Sequence, residues 1–221
     1  IAPVESIAAT GAPVRVLVNH DGRGPARAIR AGIAAAEADV VVVTMADGSD
    51  DPTQIADLCR LVERGVVIAA ASRYASGGRQ IGGPPVKAML SRLAGLSLFW
   101  LARVGTRDAT NSFKAYDRSF VTEVGIDSDA GFEIGLELVA KARRLRLPVA
   151  ELPTIWIERH AGTSRFQLYA WLPRYLRWYA FAYGRKLELE QLKKRTSLTP
   201  ASGATVPGRT QDGPTNERTM P

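Results

Sequence analysis

An α/β domain built on a parallel sheet is the fold class this sequence predicts, and three observations carry the prediction. The run Val40–Met45 is a continuous, β-branched apolar stretch, too short to span a membrane and ended abruptly by ADGSDDP, as in a buried parallel strand. A second apolar run, Val66–Ala71, follows after a segment of helical periodicity. Strands and amphipathic helices then alternate along the chain, the pattern of strands joined by helical crossovers.

Taken from the start, Pro3–Ala12 predicts a weak helix or linker, and Val14–Asn19 alternates as a short strand. A Gly-rich turn leads through Pro25 into an Ala-rich helix that reaches about Ala38. Gly22 and Gly24 suit either a phosphate-cradling loop at that helix start or the tight turn alone. Ile55, Leu58, Cys59 and Val62 share one face of a helix from Pro52 to about Arg64, which Gly65 stops. After Val66–Ala71 comes a long loop, SRYASGGRQIGGPP, which brings Arg73 to the sheet edge where Asp47 stands. The next helix runs from Pro85 to about Val104, with Lys87 and Ser91 four apart on one face. Facing Arg73, they would form a pocket for a phosphate; otherwise Lys87 is a solvated helix residue and Ser91 a surface filler. Arg107–Arg118 is a polar turn that enters a short strand at Phe113–Tyr116. Gly131–Leu145 is an amphipathic helix whose Glu133 and Glu137 suit acid/base work or, through Glu137 and Lys141, a surface ion pair. A last strand, Val149–Ile157, ends in ERHAGTSRF, where His160 has no partner at metal-ligand spacing and reads as a loop residue.

In open α/β sheets, ligands collect just beyond the carboxyl ends of strands. Asp47, Ser49, Asp50 and Asp51 crowd hard oxygen donors at the end of Val40–Met45, a set suited to Mg²⁺ or Mn²⁺. Asp51 stands before Pro52 as an N-cap and N1 pair, so Asp51 is assigned to the cap and Asp47 to the metal.

At 221 residues, 46% of them hydrophobic, the chain buries one sizeable core and leaves little room for a second full domain. The net charge of +7 and pI near 9.8 favour an anionic partner: nucleic acid, nucleotide or lipid phosphate. The single cysteine, Cys59, excludes an intramolecular disulfide and points to a domain facing the cytosol. The sequence shows no signal peptide, and its greasiest stretch, Leu93–Ala102, lies between Arg92 and Arg103 and is too short for a transmembrane helix. The first residue is Ile1, not Met, which suggests a processed or cut amino end.

The ordered set of ADGSDDP, ASRYASGG, a helix with Lys87 and Ser91, RDATNSFKAY, GFEIGLELVAKARRL and VAELPTIWIERHAGTSRF resembles the family 2 glycosyltransferases of the dolichyl-phosphate mannosyltransferase type, over about Val14–Arg165. The resemblance implies a GT-A three-layer sandwich, a divalent metal, a nucleotide-diphosphate sugar donor and a polyprenyl-phosphate acceptor. By position, Asp47 matches the last Asp of the family's DAD metal motif, with Ser49 or Asp50 as further ligands directly or through water. Arg73, Lys87 and Ser91 match the acceptor-phosphate site, and Arg159 the basic residue of a mobile loop that closes over the substrates. Two departures stand out. Met45 replaces the first Asp of DAD with a soft thioether. The two strands expected before Val14, one with a PxYNE-like segment, are not found, so the chain reads as an N-terminally truncated domain over residues 1–165, inactive alone and with an uncovered sheet flank.

Beyond Arg165 the composition changes. Residues 166–196 interleave Trp and Tyr with Arg174, Arg177, Arg185 and Lys186, as in a helix lying in a membrane interface, with Pro173 starting or kinking it. Core packing and a nucleic-acid surface are the competing readings; the lipid acceptor favours the membrane, and no nucleic-acid partner is expected. Residues 197–221, rich in Thr, Pro and Gly, read as a disordered tail. The expected function is inverting sugar transfer to a polyprenyl phosphate by a peripheral enzyme at the cytoplasmic face of the membrane. The alternative is a non-catalytic membrane-associated or sugar-nucleotide-binding module of the same fold.

Overall fold

The computed structural model describes residues 6–7, 9–20, 22–129, 131–158 and 168–197. Among them β1 (Val40–Val43), β4 (Lys114–Asp117), β2 (Ile68–Ser72) and β5 (Val149–Pro153) lie side by side in that order. β4 runs antiparallel to both β1 and β2, and β2 is parallel to β5. The C-terminal ends of β1, β2 and β5 therefore open onto one edge, and the loop entering β4 arrives at that same edge.

Side-chain alternation makes three layers. Val40 and Val42, Ala69 and Ala71, and Ala115 face α2 (Ile55–Glu63), whose Leu58 and Val62 are buried against them. Val41, Val43, Ile68 and Tyr116 face the larger core, made with α5 (Ile134–Leu145), α6 (Leu168–Ala182) and α7 (Leu189–Ser197). The chain thus folds as a three-layer α/β sandwich.

Several elements differ from the sequence expectation. Val14–Asn19 forms no strand, and Val14, Val16, Leu17 and Val18 are exposed. Of Pro3–Ala12, only residues 6–7 and 9–12 are described, and Ser6 and Ile7 are helical. α1 (Pro25–Ala34) stops short of Ala38. β1 is half-buried, pairs antiparallel rather than parallel and ends at Val43. It ends there because the Asp50 carboxylate folds back to accept from the Met45 N–H (3.0 Å) and the Thr44 hydroxyl (3.2 Å). Asp51 caps the next helix as expected, accepting from the Thr53 N–H at 2.9 Å, but the first turn is 3₁₀, Pro52–Gln54.

The loop after β2 contains β3 (Arg79–Ile81), which pairs in parallel with β6 (Ile155–Ile157) in a small second sheet. The single strand expected over Val149–Ile157 is broken: after Pro153, which has no N–H to offer a ladder, Thr154 donates to the Ser72 carbonyl and its own carbonyl accepts from Arg79. The long helix is found as α3 (Pro85–Ser97) continued by a π-helical stretch, Leu98–Ala102. α4 (Arg118–Val124), capped by Asp117, follows β4.

The single interfacial helix expected over 166–196 is two helices, α6 and α7, and their inner side belongs to the core: Trp178 is 2% exposed, and Ala182 and Leu192 are fully buried. Arg144 of α5 holds the end of α6 by donating to the Phe181 carbonyl at 2.9 Å. Most of the expected disordered tail, residues 198–221, lies outside the described residues.

Glu137 and Lys141 do pair, at 2.7 Å, but in the interior and not on a helix surface, with both side chains fully buried. Glu137 also accepts from the Asp127 and Ser128 N–H groups, and Lys141 donates to the Val124 and Gly125 carbonyls and to Asp127. Removing one partner strands a buried charge, so Lys141→Met should cost about 3–5 kcal/mol in urea unfolding, with part of the loss recovered in Glu137→Gln/Lys141→Met. Equal destabilisation by the single and double variants would refute this account.

Candidate active site

Arg73 leaves the end of β2 and is locked at once. Its backbone N–H and Nε donate to Asp108 Oδ2 at 3.0 and 2.7 Å, and Nη2 donates to Oδ1 at 2.8 Å, a fork-to-fork pair of the strong kind. The Asp108 side chain has no solvent exposure and that of Arg73 only 13%. Burial disfavours the guanidinium charge, but the hydrogen bond and charge of Asp108 outweigh it, so Arg73 holds its proton more tightly than usual. The ring of Tyr74 lies 5.0 Å from the guanidinium and that of Trp156 5.9 Å.

The loop carrying Asp108 is stitched from every side. Asn111 donates to the Ala71 carbonyl at 2.9 Å, Arg107 N–H donates to Glu151 at 2.7 Å, and Lys114 Nζ donates to the Ala109 and Asn111 carbonyls. α3 packs on this loop through Gly95, where a Cβ would overlap the Arg107 carbonyl. The close approach puts Ser91 Oγ 2.8 Å from Thr110 Oγ1. Arg73 and Ser91 are thus gathered onto one loop, by Asp108 and Thr110. Lys87, four residues before Ser91 on α3, is exposed.

At the end of β1, Asp47 is exposed, and its Oδ1 accepts from the Ser49 N–H (3.1 Å) and hydroxyl (2.6 Å). Ser49 is buried. Burial, with some help from the charge of Asp47, raises the Asp50 pKa, although the Met45 and Thr44 donors oppose it. No group of three His, Cys, Asp or Glu among the described residues could hold a metal ion. Asp47, Ser49 and Asp50 are nevertheless hard oxygen donors. They fit Mg²⁺ or Mn²⁺ in the common manner in which one or two carboxylates bind and ligand phosphates complete the shell. Met45 adds nothing hard to that set. Arg159 lies outside the described residues.

Three groups escaped the sequence reading of the site. Asp108 looked like a member of a polar turn and Lys114 like a residue of the short strand Phe113–Tyr116; only burial reveals them. Glu133, read there with Glu137 as a pair suited to acid/base work but not placed in the site, is 1% exposed. One of its oxygens accepts from the Gly131 N–H, while the other, Oε2, has no partner among the described residues. Burial first, and then the Glu133 charge, push the Tyr175 phenol up while Arg73 opposes them, so Glu133, Tyr175 of α6 and Arg73 share one neighbourhood. A buried carboxylate oxygen without a donor is costly, and it is where a ligand hydroxyl would be accepted.

The sequence profile described as "Glycosyl transferase family 2" matches residues 2–125. Polyprenol monophosphomannose synthase of Mycolicibacterium smegmatis is 30% identical over 128 residues, 57% of this chain and 48% of that protein. Undecaprenyl-phosphate mannosyltransferase of Micrococcus luteus is 26% identical over 129 residues, 58% of this chain and 53% of that protein. The chain thus spans about half the length of these curated relatives. Among solved structures, glucosyl-3-phosphoglycerate synthase of Mycobacterium tuberculosis, in complex with Mn²⁺, UDP and glucosyl-3-phosphoglycerate, superposes with a TM-score of 0.60 at 16% identity, over 83% of this chain and 66% of that one. Mannosyl-3-phosphoglycerate synthase of Rubrobacter xylanophilus gives 0.52 at 18% identity, over 91% and 63%. These likenesses establish the fold.

Burial pushes Lys114 down to about 7, against the pull of Asp108. Between that value and the ordinary 10.5 the unfolded chain binds a proton that the folded one does not, so folding stability should rise with pH across this window. Lys114→Met should flatten that rise in urea unfolding measured at a series of pH values; parallel wild-type and variant curves would refute it.

Proposed function

Because the chain belongs to glycosyl transferase family 2, we propose that it transfers a sugar from a nucleotide-diphosphate donor to the phosphate of a polyprenyl lipid, at the cytoplasmic face of a membrane to which it binds peripherally. The observation that carries this reading is the meeting at one sheet edge of two unlike halves. Exposed Asp47 and its neighbour Asp50 follow β1; Arg73, Ser91 and Thr110 gather beyond β2. The first half suits a metal-bound diphosphate and the second a phosphate monoester. The curated relatives, a polyprenol monophosphomannose synthase and an undecaprenyl-phosphate mannosyltransferase, support the lipid acceptor, and UDP and Mn²⁺ in a solved neighbour support the donor and the metal. No described helix is long and apolar enough to cross a membrane.

In the proposed reaction, an oxygen of the lipid phosphate forms a bond to the anomeric carbon while the bond from that carbon to the diphosphate oxygen breaks. Its electron pair leaves with the nucleoside diphosphate, and the anomeric centre inverts. The attacking oxygen is already anionic, so positioning matters more than a general base. Arg73, aimed by Asp108, orients the phosphate; the Ser91 and Thr110 hydroxyls donate to it, and Lys87 adds positive charge. Glu133 accepts from a sugar hydroxyl, and Arg159 is assigned to substrate binding on the family resemblance alone. Asp47, with Ser49 or Asp50, would hold a divalent cation, which would supply positive charge to the departing diphosphate.

Met45 in the metal segment favours a second reading, a non-catalytic sugar-nucleotide-binding module. Incubation with labelled sugar nucleotides and a polyprenyl phosphate separates the two: no transfer from any donor leaves only the module. Asp47→Asn should abolish metal-dependent donor binding in calorimetry without lowering stability, because Asp47 is exposed; unchanged metal affinity would remove Asp47 from the site. Lys87→Ala and Ser91→Ala should raise the acceptor KM and spare donor affinity. They are cleaner probes than Arg73→Ala, which would leave Asp108 buried and unpaired.

A further inference from the structure

α3 and its π-helical extension present two opposite faces. Ser91, Gly95, Leu98 and Ala102 turn inward, towards the catalytic loop and the core. Val86, Met89, Leu90, Leu93, Trp100 and Leu101 turn outward, and Leu93, Trp100 and Leu101 are 58, 66 and 72% exposed. At about 3.6 residues per turn, Val86, Met89, Leu90 and Leu93 form a single stripe on α3 with Lys87 on one flank and Arg92 on the other; Trp100 and Leu101 of the π-helical stretch are exposed beyond it, and Arg103, in the left-handed C-cap, is exposed at its end. α6 extends the patch. Its Leu172 and Leu176, and Tyr183 just after its end, are exposed, and its Tyr179 hydroxyl meets Ser97 of α3 at 2.8 Å. No Asp or Glu occurs between Arg64 and Arg107, or between Arg159 and Leu187, so both helices are free of negative charge.

We propose that this outward face of α3 and its π-helical extension, joined by the outer side of α6, docks onto an anionic lipid bilayer. Contiguous apolar surface of this kind marks an interaction site. Trp, Leu and Met flanked by arginines, with no carboxylate, match the order of a bilayer interface, where apolar groups enter and guanidiniums reach the headgroups. A second copy of the chain is the poorer occupant, because a two-fold contact would bring Arg92 and Arg103 of both copies together with no acidic partner. The inference deepens the proposed function, since Ser91 lies on the inner side of the docking helix and a lipid phosphate would reach it with its tail still in the membrane. The docking residues are not those of the buried side of α6, which the Trp178 contacts commit to the core.

The test is sedimentation of the full chain with phosphatidylcholine vesicles with and without phosphatidylglycerol. The wild type should pellet with the anionic vesicles, less so at high salt. Leu93→Glu/Leu101→Glu should lower the partition roughly tenfold or more, and Arg92→Glu/Arg103→Glu should remove the preference for phosphatidylglycerol. Equal pelleting of the wild type and Leu93→Glu/Leu101→Glu would overturn the proposal. So would a wild type that never pellets but is a dimer in analytical ultracentrifugation, with the variant a monomer. Transfer to a short-chain polyprenyl phosphate in detergent reads the catalytic proposal separately. Vesicle binding lost in Leu93→Glu/Leu101→Glu, with no transfer by the wild type, would uphold the docking face and refute the reaction.

Discussion

The carboxylate of Asp108, with no access to water, governs the arrangement of this sheet edge. A buried charge must be matched, and Asp108 is matched by a guanidinium and a backbone N–H that both belong to Arg73. The pairing fixes the turn after β2 and the loop before β4 as one unit. Around it, Asn111 ties the loop to β2, Arg107 ties it to Glu151 on β5, and Lys114 closes the loop on itself. α3 then has one way to lie, with Gly95 on the Arg107 carbonyl, and this delivers Ser91 to Thr110. The polar residues are pre-positioned by interactions that need no ligand, as is useful where accurate placement does most of the work.

The same edge separates its charges. Carboxylates cluster after β1 and cationic and hydroxyl groups after β2, with β4 between the two strands. The halves still sense each other, since Asp50 and Arg73 shift one another's proton affinity. Two anionic ligands could therefore lie side by side, one neutralised through a metal and the other through side chains.

Strand ends were legible because apolar runs stop visibly, and Asp47 and Arg73 fall just past such stops. The N-cap at Asp51 and the helix bearing Ser91 were legible for the same local reasons. What stayed hidden depends on burial or distant pairing. Glu137 and Lys141 are four apart whether a helix face meets water or the core, so spacing alone could not place their pair inside. Nothing near Arg79 announces a partner at Ile155. Asp108 looks like any turn residue until Arg73 is seen against it, and the orphaned oxygen of Glu133 exists only in three dimensions. In residues 166–196 aromatic and basic side chains alternate, but Arg144, from another helix, holds α6 by its Phe181 carbonyl and the chain after it by the Arg185 carbonyl, so one segment has both a core side and an exposed side.

β1 and β2 follow each other along the chain, yet neither pairs with the other: each is hydrogen-bonded to β4, far downstream. During synthesis the first two strands therefore have no mutual ladder to form and must wait until the segment around Lys114 has left the ribosome. The loop that pairs with Arg73 emerges immediately before that strand. Sheet assembly and assembly of the phosphate-facing loop thus become one late kinetic event, governed by long-range closure more than by local propensity. Slow or interrupted translation between Ser72 and Lys114 would leave valine-rich β1 without its partner, the stage at which this chain is most exposed to self-association.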